Sequence, residues 1–161
     1  MLIDAPMTVS AERWIGADDY AVTESDAWLA AALQSSVAVC LYDAVHESGA
    51  LVHLRVTPPS QLGRADVSDA TLSTNLELLE RSVSQLRAAS PRAQHWQAKI
   101  VAHFEAGAAS VERGIQLQNF LAAFLRDAGV LLSGVATHHQ HGMSLRFRPA
   151  MGQVIAAARG S

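Results

Sequence analysis

Cysteine and histidine are the side chains of this sequence that most readily do chemistry at neutral pH. Cys40 is the only cysteine, and seven histidines supply the imidazoles. A thiol beside an imidazole can become a nucleophile, but one cysteine can form neither an intramolecular disulfide nor a multi-thiolate metal site. Cys40 stands in an apolar run at residues 36–42, and a cysteine buried in a strand is usually a small core residue. We therefore expect Cys40 to belong to the core.

The histidine-rich segment at residues 138–141 is the candidate for metal chemistry. It contains His138, His139 and His141, and His103 could add an imidazole for a borderline ion such as zinc. In an extended chain His139 and His141 share a face while His138 points the other way, so at most two converge without a tight turn. A solvated loop is the favoured interpretation and metal binding is the alternative. No cofactor is expected.

The period of the apolar pattern predicts the elements that hold these residues. Short apolar runs predict strands at residues 19–23, 28–33, 36–42, 50–56, 97–103, 130–136, 143–147 and 154–157. The run at 36–42 is apolar almost throughout, which is typical of a central strand buried on both faces. Pro58 and Pro59 should end the strand at 50–56.

Two amphipathic helices interrupt the strands. The first begins near Asp69 as a cap, ends before Pro91 and carries apolar residues on one face at Leu72, Leu76, Leu79, Val83 and Leu86. The second closes at Gly129 and carries Ile115, Phe120, Leu121 and Phe124. This order predicts the α+β class and a single domain over residues 15–157. An N-terminal extension at 1–14, which could be flexible, precedes it, and a tail at 158–161 follows.

Charge and hydropathy disfavour two classes of partner. The formal net charge is -3 and Lys99 is the only lysine, so no basic stripe is available for a phosphate backbone. No stretch approaches the ~20 consecutive apolar residues of a membrane span. The N-terminus lacks the basic segment and apolar run of a secretory signal. We expect no nucleic-acid binding, no membrane insertion and a cytoplasmic location.

Two segments, LQSSVAVCLYD at residues 33–43 and GALVHL at residues 49–54, resemble motifs of the CheD family, the bacterial chemoreceptor glutamine deamidases. Residues 33–43 read LQSSVAVCLYD and resemble the family's Gly-Leu-Gly-Ser-Cys-Val-Ala-Val-Cys-Leu-Tyr-Asp segment. Residues 49–54 resemble its Gly-Gly-x-Ala-His-x segment, which carries the catalytic histidine. Ser36 and His53 then take the places of nucleophile and histidine, at the family's 17-residue separation. The resemblance covers roughly residues 15–155 and implies a mixed β-sandwich flanked by helices.

The departures from the family pattern concern the site itself. Ser36 replaces the nucleophilic cysteine and Ala30 replaces the threonine that assists the histidine. The glycine-rich stretch after the family's Ala-Lys strand becomes Val-Ala-His-Phe-Glu-Ala at residues 101–106. Its Asp-x-Gly-Gly-x-x-Gly-Arg loop becomes the histidine-rich segment. Loops that would allow close approach of a substrate have gained side chains.

Serine makes heavier demands on its surroundings than cysteine. A hydroxyl needs a base held in one tautomer by a third group, together with an oxyanion hole, and loss of such a part can cost about 10³ to 10⁴ in rate. With Ala30 in the orienting position, the sequence identifies no third group. Asp43 and Glu47 are the nearest carboxylates along the chain.

Three functions follow from the resemblance and its departures. The first is a catalytically impaired CheD-like protein that binds chemoreceptor helices or a CheC-like phosphatase. The second is an active protein-glutamine amidohydrolase, a deamidase with Ser36 as nucleophile and His53 as general base. The third is reuse of the scaffold for an unrelated interaction, with the residues from His138 to His141 as the altered surface. Because several parts of the site change together, the first hypothesis is favoured, and whether the chain is an enzyme stays open.

Overall fold

The order of strands and helices follows the sequence pattern closely. The computed structural model describes residues 12–56, 65–139 and 141–158, with the backbone alone for residues 65–72. The strands are β1 (Glu12–Trp14), β2 (Asp19–Thr23), β3 (Trp28–Leu33), β4 (Ser36–Asp43), β5 (Ser48–Arg55), β6 (Gln97–His103), β7 (Leu131–His138), β8 (Met143–Arg148) and β9 (Gln153–Ala158). The helices are α1 (Ala65–Ala89) and α2 (Ala108–Asp127), and a short 3-10 turn spans Pro149–Met151.

The strands form two sheets that face each other. One has four strands in the order β1-β3-β8-β9, and the other has five in the order β2-β5-β4-β6-β7. The pairs β1–β3 and β6–β7 are parallel, and the remaining pairs are antiparallel. The predicted α+β class is confirmed, and β4 is the central strand of its sheet, as its apolar sequence predicts.

Strand β4 is buried along its whole length because it has a packed layer on each side. Ala38 and Cys40 face the four-stranded sheet, whereas Val37 and Val39 face the helices. Alternation along a strand produces this division. Cys40 is the buried core residue that its strand position predicts.

Both helices pack on the outer face of the five-stranded sheet. The predicted apolar face of α2 is partly wrong, because Leu121 is buried but Ile115 is half exposed. The residues that contact the sheet are small as well as large: Ser110, Gly114, Leu117, Leu121 and Leu125. Gly114 lets the ring of Phe104 approach so closely that a Cβ there would lie 2.3 Å from its Cε2 atom. Of the four predicted apolar residues, Leu121 is buried, Phe120 and Phe124 are partly buried against the core, and Ile115 alone is largely outside it.

Some boundaries differ from the sequence prediction. Helix α1 begins at Ala65, so Asp69 lies inside it and cannot be its N-terminal cap. Residues 12–14, within the segment assigned to the extension, pair with β3 as β1. The Pro58-Pro59 stop and the side chain of Leu72 lie outside the described residues. Gly129 has a φ of 77° and ends the second helix region in the left-handed conformation, as predicted. Neither described helix combines the length and apolar character needed to cross a bilayer.

Candidate functional site

Ser36 is the first residue of β4 and directly follows the corner by which the chain passes from one sheet to the other. Strand β3 belongs to the four-stranded sheet and β4 to the five-stranded sheet, so Gln34 and Ser35 make the crossing. Ser35 has a φ of 47°, a left-handed conformation that costs energy for a residue with a side chain. The Ser36 Oγ accepts a hydrogen bond from the Gln34 backbone N–H at 3.0 Å, which helps to fix the corner.

His53 reaches Ser36 from the neighbouring strand. In the pairing of β4 with β5, His53 lies opposite Ala38 and Ser36 lies opposite Arg55, so His53 is the diagonal neighbour of Ser36 on the same face. The His53 Nε2 atom lies 2.9 Å from the Ser36 Oγ. The structure therefore brings together the two residues that the motif resemblance selects.

The backbone carbonyl of Ile15 fixes the tautomer of His53. Its oxygen lies 2.9 Å from Nδ1, and a carbonyl can only accept, so Nδ1 carries the proton. In the neutral ring Nε2 is then an acceptor, and the Ser36 hydroxyl donates to it. This is the arrangement that a general base for a serine hydroxyl requires.

His53 is held in its neutral form. Burial is the main cause that lowers the pKa of its imidazole, and the positive charge of Arg55 acts in the same direction. The hydrogen bond to Ile15 and the charge of Asp18 oppose this effect without reversing it. Asp18 is itself paired with Arg55 at 2.8 Å. The base is therefore unprotonated at neutral pH.

The Ser36–His53 pair is closed to solvent. Ser36 exposes 2% of its surface and His53 exposes 3%. The Ser36 Oγ is engaged by His53 and by the Gln34 N–H at the same time. A substrate carbonyl has to come within about 3–3.5 Å of a nucleophile before attack. In this conformation His53 is placed to accept the Ser36 proton, but the Ser36 hydroxyl is inaccessible to a substrate.

Ala30, at the position of the assisting threonine, contributes through its backbone. It is fully buried, but its neighbours Leu29 and Ala31 belong to the core between the sheets, so its methyl group points to the opposite face of β3. Its carbonyl accepts the Ile15 N–H at 2.7 Å, which places the Ile15 carbonyl at His53. Sequence reasoning missed Ile15 because the orienting atom is a main-chain oxygen, which leaves no side-chain signature.

The two nearby carboxylates do not take the place of this carbonyl. Asp43 is at the other end of β4 from Ser36. Its side chain accepts hydrogen bonds from the backbone of Val45 and His95. Glu47 lies in the turn beyond it. Neither belongs to the site of Ser36.

His103 and His138 continue the row of side chains across the five-stranded sheet. His103 lies opposite Ser36 in the pairing of β4 with β6, and His138 lies beside His103 in the pairing of β6 with β7. His103 is 1% exposed, and its Nδ1 accepts the Ser35 N–H at 2.9 Å. His138 is exposed and lines an open cleft of about 390 Å³, together with Thr137, His139, His141, Met143, Ala156 and Ala158.

Neither metal nor thiol chemistry gains support from this geometry. Across residues 12–56, 73–139 and 141–158, no three histidine, cysteine or acidic side chains are grouped so that they could hold a metal ion. Burial raises the pKa of the Cys40 thiol well above its ordinary value. Cys40 lies opposite Leu51 and Lys99, two residue pairs farther along β4 than the position opposite His53.

Curated relatives resemble the chain over most of its length, although no family model matches it. The probable chemoreceptor glutamine deamidase CheD of Rhizobium leguminosarum bv. trifolii (strain WSM2304) is 30% identical over 132 residues, which are 82% of this chain and 71% of the relative. The protein of the same name from Rhizobium etli (strain CIAT 652) gives the same identity and coverage. That from Rhizobium meliloti (strain 1021) is 29% identical over 136 residues, with 82% and 71% covered.

Proposed function

The chain belongs to the CheD family of chemoreceptor glutamine deamidases, and on that premise we propose that it acts in chemotaxis mainly by binding. Its partner would be a methyl-accepting chemoreceptor or a CheC-like phosphatase. The Ser36–His53 pair would be a degenerate form of the family's site, too closed to deamidate glutamine efficiently. The cytoplasm, where these partners meet, is the proposed location.

The observation that carries this proposal is the closure of the site around a hydroxyl. Ser36 is buried, and its Oγ already has a donor in the Gln34 N–H and an acceptor in His53 Nε2. A thiol is a few per cent ionised near neutral pH and tolerates an imperfect site, whereas a hydroxyl does not ionise in that range. Replacement of cysteine by serine in a closed site therefore removes the nucleophile that could react without further activation.

Retention of the fold around the altered site supports a binding role. The central strand β4 is fully buried, and both sheets and helices pack around it. The relatives match 82% of the chain, so the similarity extends far beyond the site. A surface that binds a partner can be kept by such a fold after the nucleophile is lost.

Direct binding measurements test the proposal. The purified chain is titrated with the cytoplasmic fragment of a chemoreceptor from the same organism and, separately, with its CheC-like phosphatase. We expect at least one of the two to bind with a Kd of about 1 μM or lower. Ser36→Ala should bind equally well, because Ser36 is buried and cannot contact a partner. Absence of binding to both proteins contradicts the proposal.

A deamidase that uses Ser36 is the second candidate, favoured by the tautomer of His53. The Ser36 Oγ would attack the glutamine side-chain carbonyl and pass its proton to His53 Nε2. The imidazolium would then protonate the leaving ammonia, and water would hydrolyse the acyl-serine to release glutamate. This reaction requires the site to open from the conformation described above.

A further inference from the structure

We propose that His103 is the residue that closes the Ser36–His53 site, by separating Ser36 from the cleft at His138. This inference rests on the proposed function, because it takes Ser36 and His53 as the altered site of the family. It assigns His103 a positioning and occluding role. No role in the chemistry itself is assigned to it.

The row of residues across the sheet supplies the geometric argument. Strand β6 lies between β4 and β7, and His103 is the partner of Ser36 on one side and of His138 on the other. Neighbouring strands are ~4.8 Å apart, so Ser36 and His138 are separated by ~10 Å with His103 between them. His138 is exposed to the cleft while Ser36 and His103 are buried. His103 therefore stands between Ser36 and the cleft at His138 in the row across the sheet.

The hydrogen bond of His103 gives it a second effect on the site. Backbone N–H groups near a nucleophile are common donors to the oxyanion that forms during acyl transfer. The Ser35 N–H directly precedes Ser36, and His103 Nδ1 accepts it at 2.9 Å. A substrate oxygen cannot use this donor while the imidazole holds it. His103 therefore fills the space beside Ser36. It also engages the Ser35 N–H, which acyl transfer could use as an oxyanion donor.

The same bond stabilises the strained corner. Ser35 has a positive φ, and its carbonyl accepts the Val56 N–H at 3.1 Å while its N–H donates to His103. Gly142 also lies against the corner, since a Cβ there would lie 2.5 Å from the Gln34 Oε1. Removal of the imidazole therefore breaks the hydrogen bond to the Ser35 N–H and also leaves a space beside Ser36.

Thiol alkylation measures this closure without any chemoreceptor. In the Ser36→Cys variant of this chain, the introduced thiol reports access to position 36 through its rate of reaction with iodoacetamide, and peptide mapping locates the modified residue. Adding His103→Ala should raise this rate at least about tenfold, because accessible thiols beside an imidazole react far faster than buried ones. Cys40 is the internal control, since it is buried in both proteins and should stay unmodified.

His103→Asn is the matched variant. Its side-chain oxygen can approximate the position of Nδ1 and keep the Ser35 N–H bonded, but it lacks the outer atoms of the ring. We expect a smaller rise in alkylation than with His103→Ala, and a melting temperature closer to that of Ser36→Cys alone. If His103→Ala does not fold, His103→Asn decides the question by the same rate. Rates within about twofold of Ser36→Cys in every folded variant overturn the inference.

A chemoreceptor fragment then separates this inference from the proposed function. Incubation of Ser36→Cys/His103→Ala with the fragment should convert glutamine to glutamate faster than Ser36→Cys alone. If alkylation rises but no glutamine is converted, closure by His103 stands and the family substrate is wrong for this site. If alkylation does not rise, closure by His103 is wrong whatever the fragment shows.

Discussion

The backbone oxygen of Ile15 lies 2.9 Å from Nδ1 of His53 and orients the imidazole toward Ser36. This main-chain contact orients His53 without a side chain at position 30, where the family motif has its threonine. Ala30 takes part only indirectly, by accepting the Ile15 N–H. His53 is therefore held next to Ser36 in one tautomer and in its neutral form, although two of the three residues in the motif have changed.

Replacing the nucleophile alone should restore little activity. In Ser36→Cys the thiol would face a neutral, oriented His53, but it would stay in a site that exposes 2% of residue 36. We expect deamidation of a chemoreceptor fragment at no more than about 1% of the rate of a CheD relative with a native cysteine, because residue 36 is buried and His103 holds the Ser35 N–H that could stabilise an oxyanion. Ser36→Cys/His53→Gln is the control for reactivity that does not depend on the base. A rate close to that of the relative contradicts the closed site.

Restoring the motif threonine should not help. The methyl group of Ala30 points away from the core between the sheets, so a threonine there would not reach His53. Ala30→Thr should lower the free energy of unfolding by about 1–3 kcal/mol, since residue 30 is fully buried and the extra atoms overpack it. Ala32→Thr, on the same face but only partly buried, is the matched control and should cost less. Faster deamidation by Ser36→Cys/Ala30→Thr than by Ser36→Cys would show that residue 30 does assist the base.

The free energy of unfolding should decrease as the pH is lowered through the range in which His53 would gain a proton. The folded pKa of His53 is lowered by burial, so between that pKa and the unfolded value of about 6.5 the unfolded chain binds more protons. The free energy of unfolding should therefore decrease as the pH falls below about 6.5, by at most about 1.4 kcal/mol per pH unit from this group. Urea titrations from pH 8 to 5 measure the slope.

A difference curve against His53→Gln isolates that contribution. Glutamine stays neutral, so the slope should be smaller in the variant. Asp26 and Asp43 have lowered pKa values in the folded state, so the stability that they add is lost only as the pH falls below about 4. Parallel curves for the two proteins between pH 6.5 and 5 would mean that His53 is not buried in its neutral form.

The contact of Gly114 with Phe104 predicts the cost of a single methyl group. Gly114→Ala should lower the free energy of unfolding by about 1–3 kcal/mol despite the better helix propensity of alanine, because the Cβ would overlap a buried ring. Gly134→Ala is the control, since its nearest neighbour would be the Lys99 Cγ at an ordinary 3.6 Å. Equal melting temperatures for the two variants would show that α2 does not pack this closely.

The sequence predicts the strands better than the details of the site, for physical reasons. Strands such as β2, β3 and β6 have the predicted bounds, because each is a short apolar-rich run that polar or turn-forming residues delimit. The buried face of α2 includes the small residues Ser110 and Gly114 beside three leucines, and a pattern of large apolar residues cannot reveal the small ones. Helix α1 starts at Ala65, before Leu72, the first residue of the apolar pattern that predicts it.

Within the site, the sequence reveals contacts between strands that are adjacent along the chain, but not contacts between strands that are far apart along it. The separation of Ser36 and His53 matches the register of adjacent strands β4 and β5, so a motif can encode it. The contact of His103 with Ser35 depends on the pairing of β4 with β6, which are far apart along the chain. The sequence does indicate that larger side chains replace the glycines of the family in residues 101–106 and in the histidine-rich segment. Of these, His103 is buried at the site, whereas His138, His139 and His141 are exposed around the cleft.

The most direct test of the central claim is the intact mass of a chemoreceptor cytoplasmic fragment after incubation with the wild-type chain. We predict no change in mass above a control without protein, under conditions in which a CheD relative with its native cysteine converts the fragment completely. A gain of about one dalton for each glutamine hydrolysed, abolished by Ser36→Ala, would contradict the closed and inactive Ser36–His53 site.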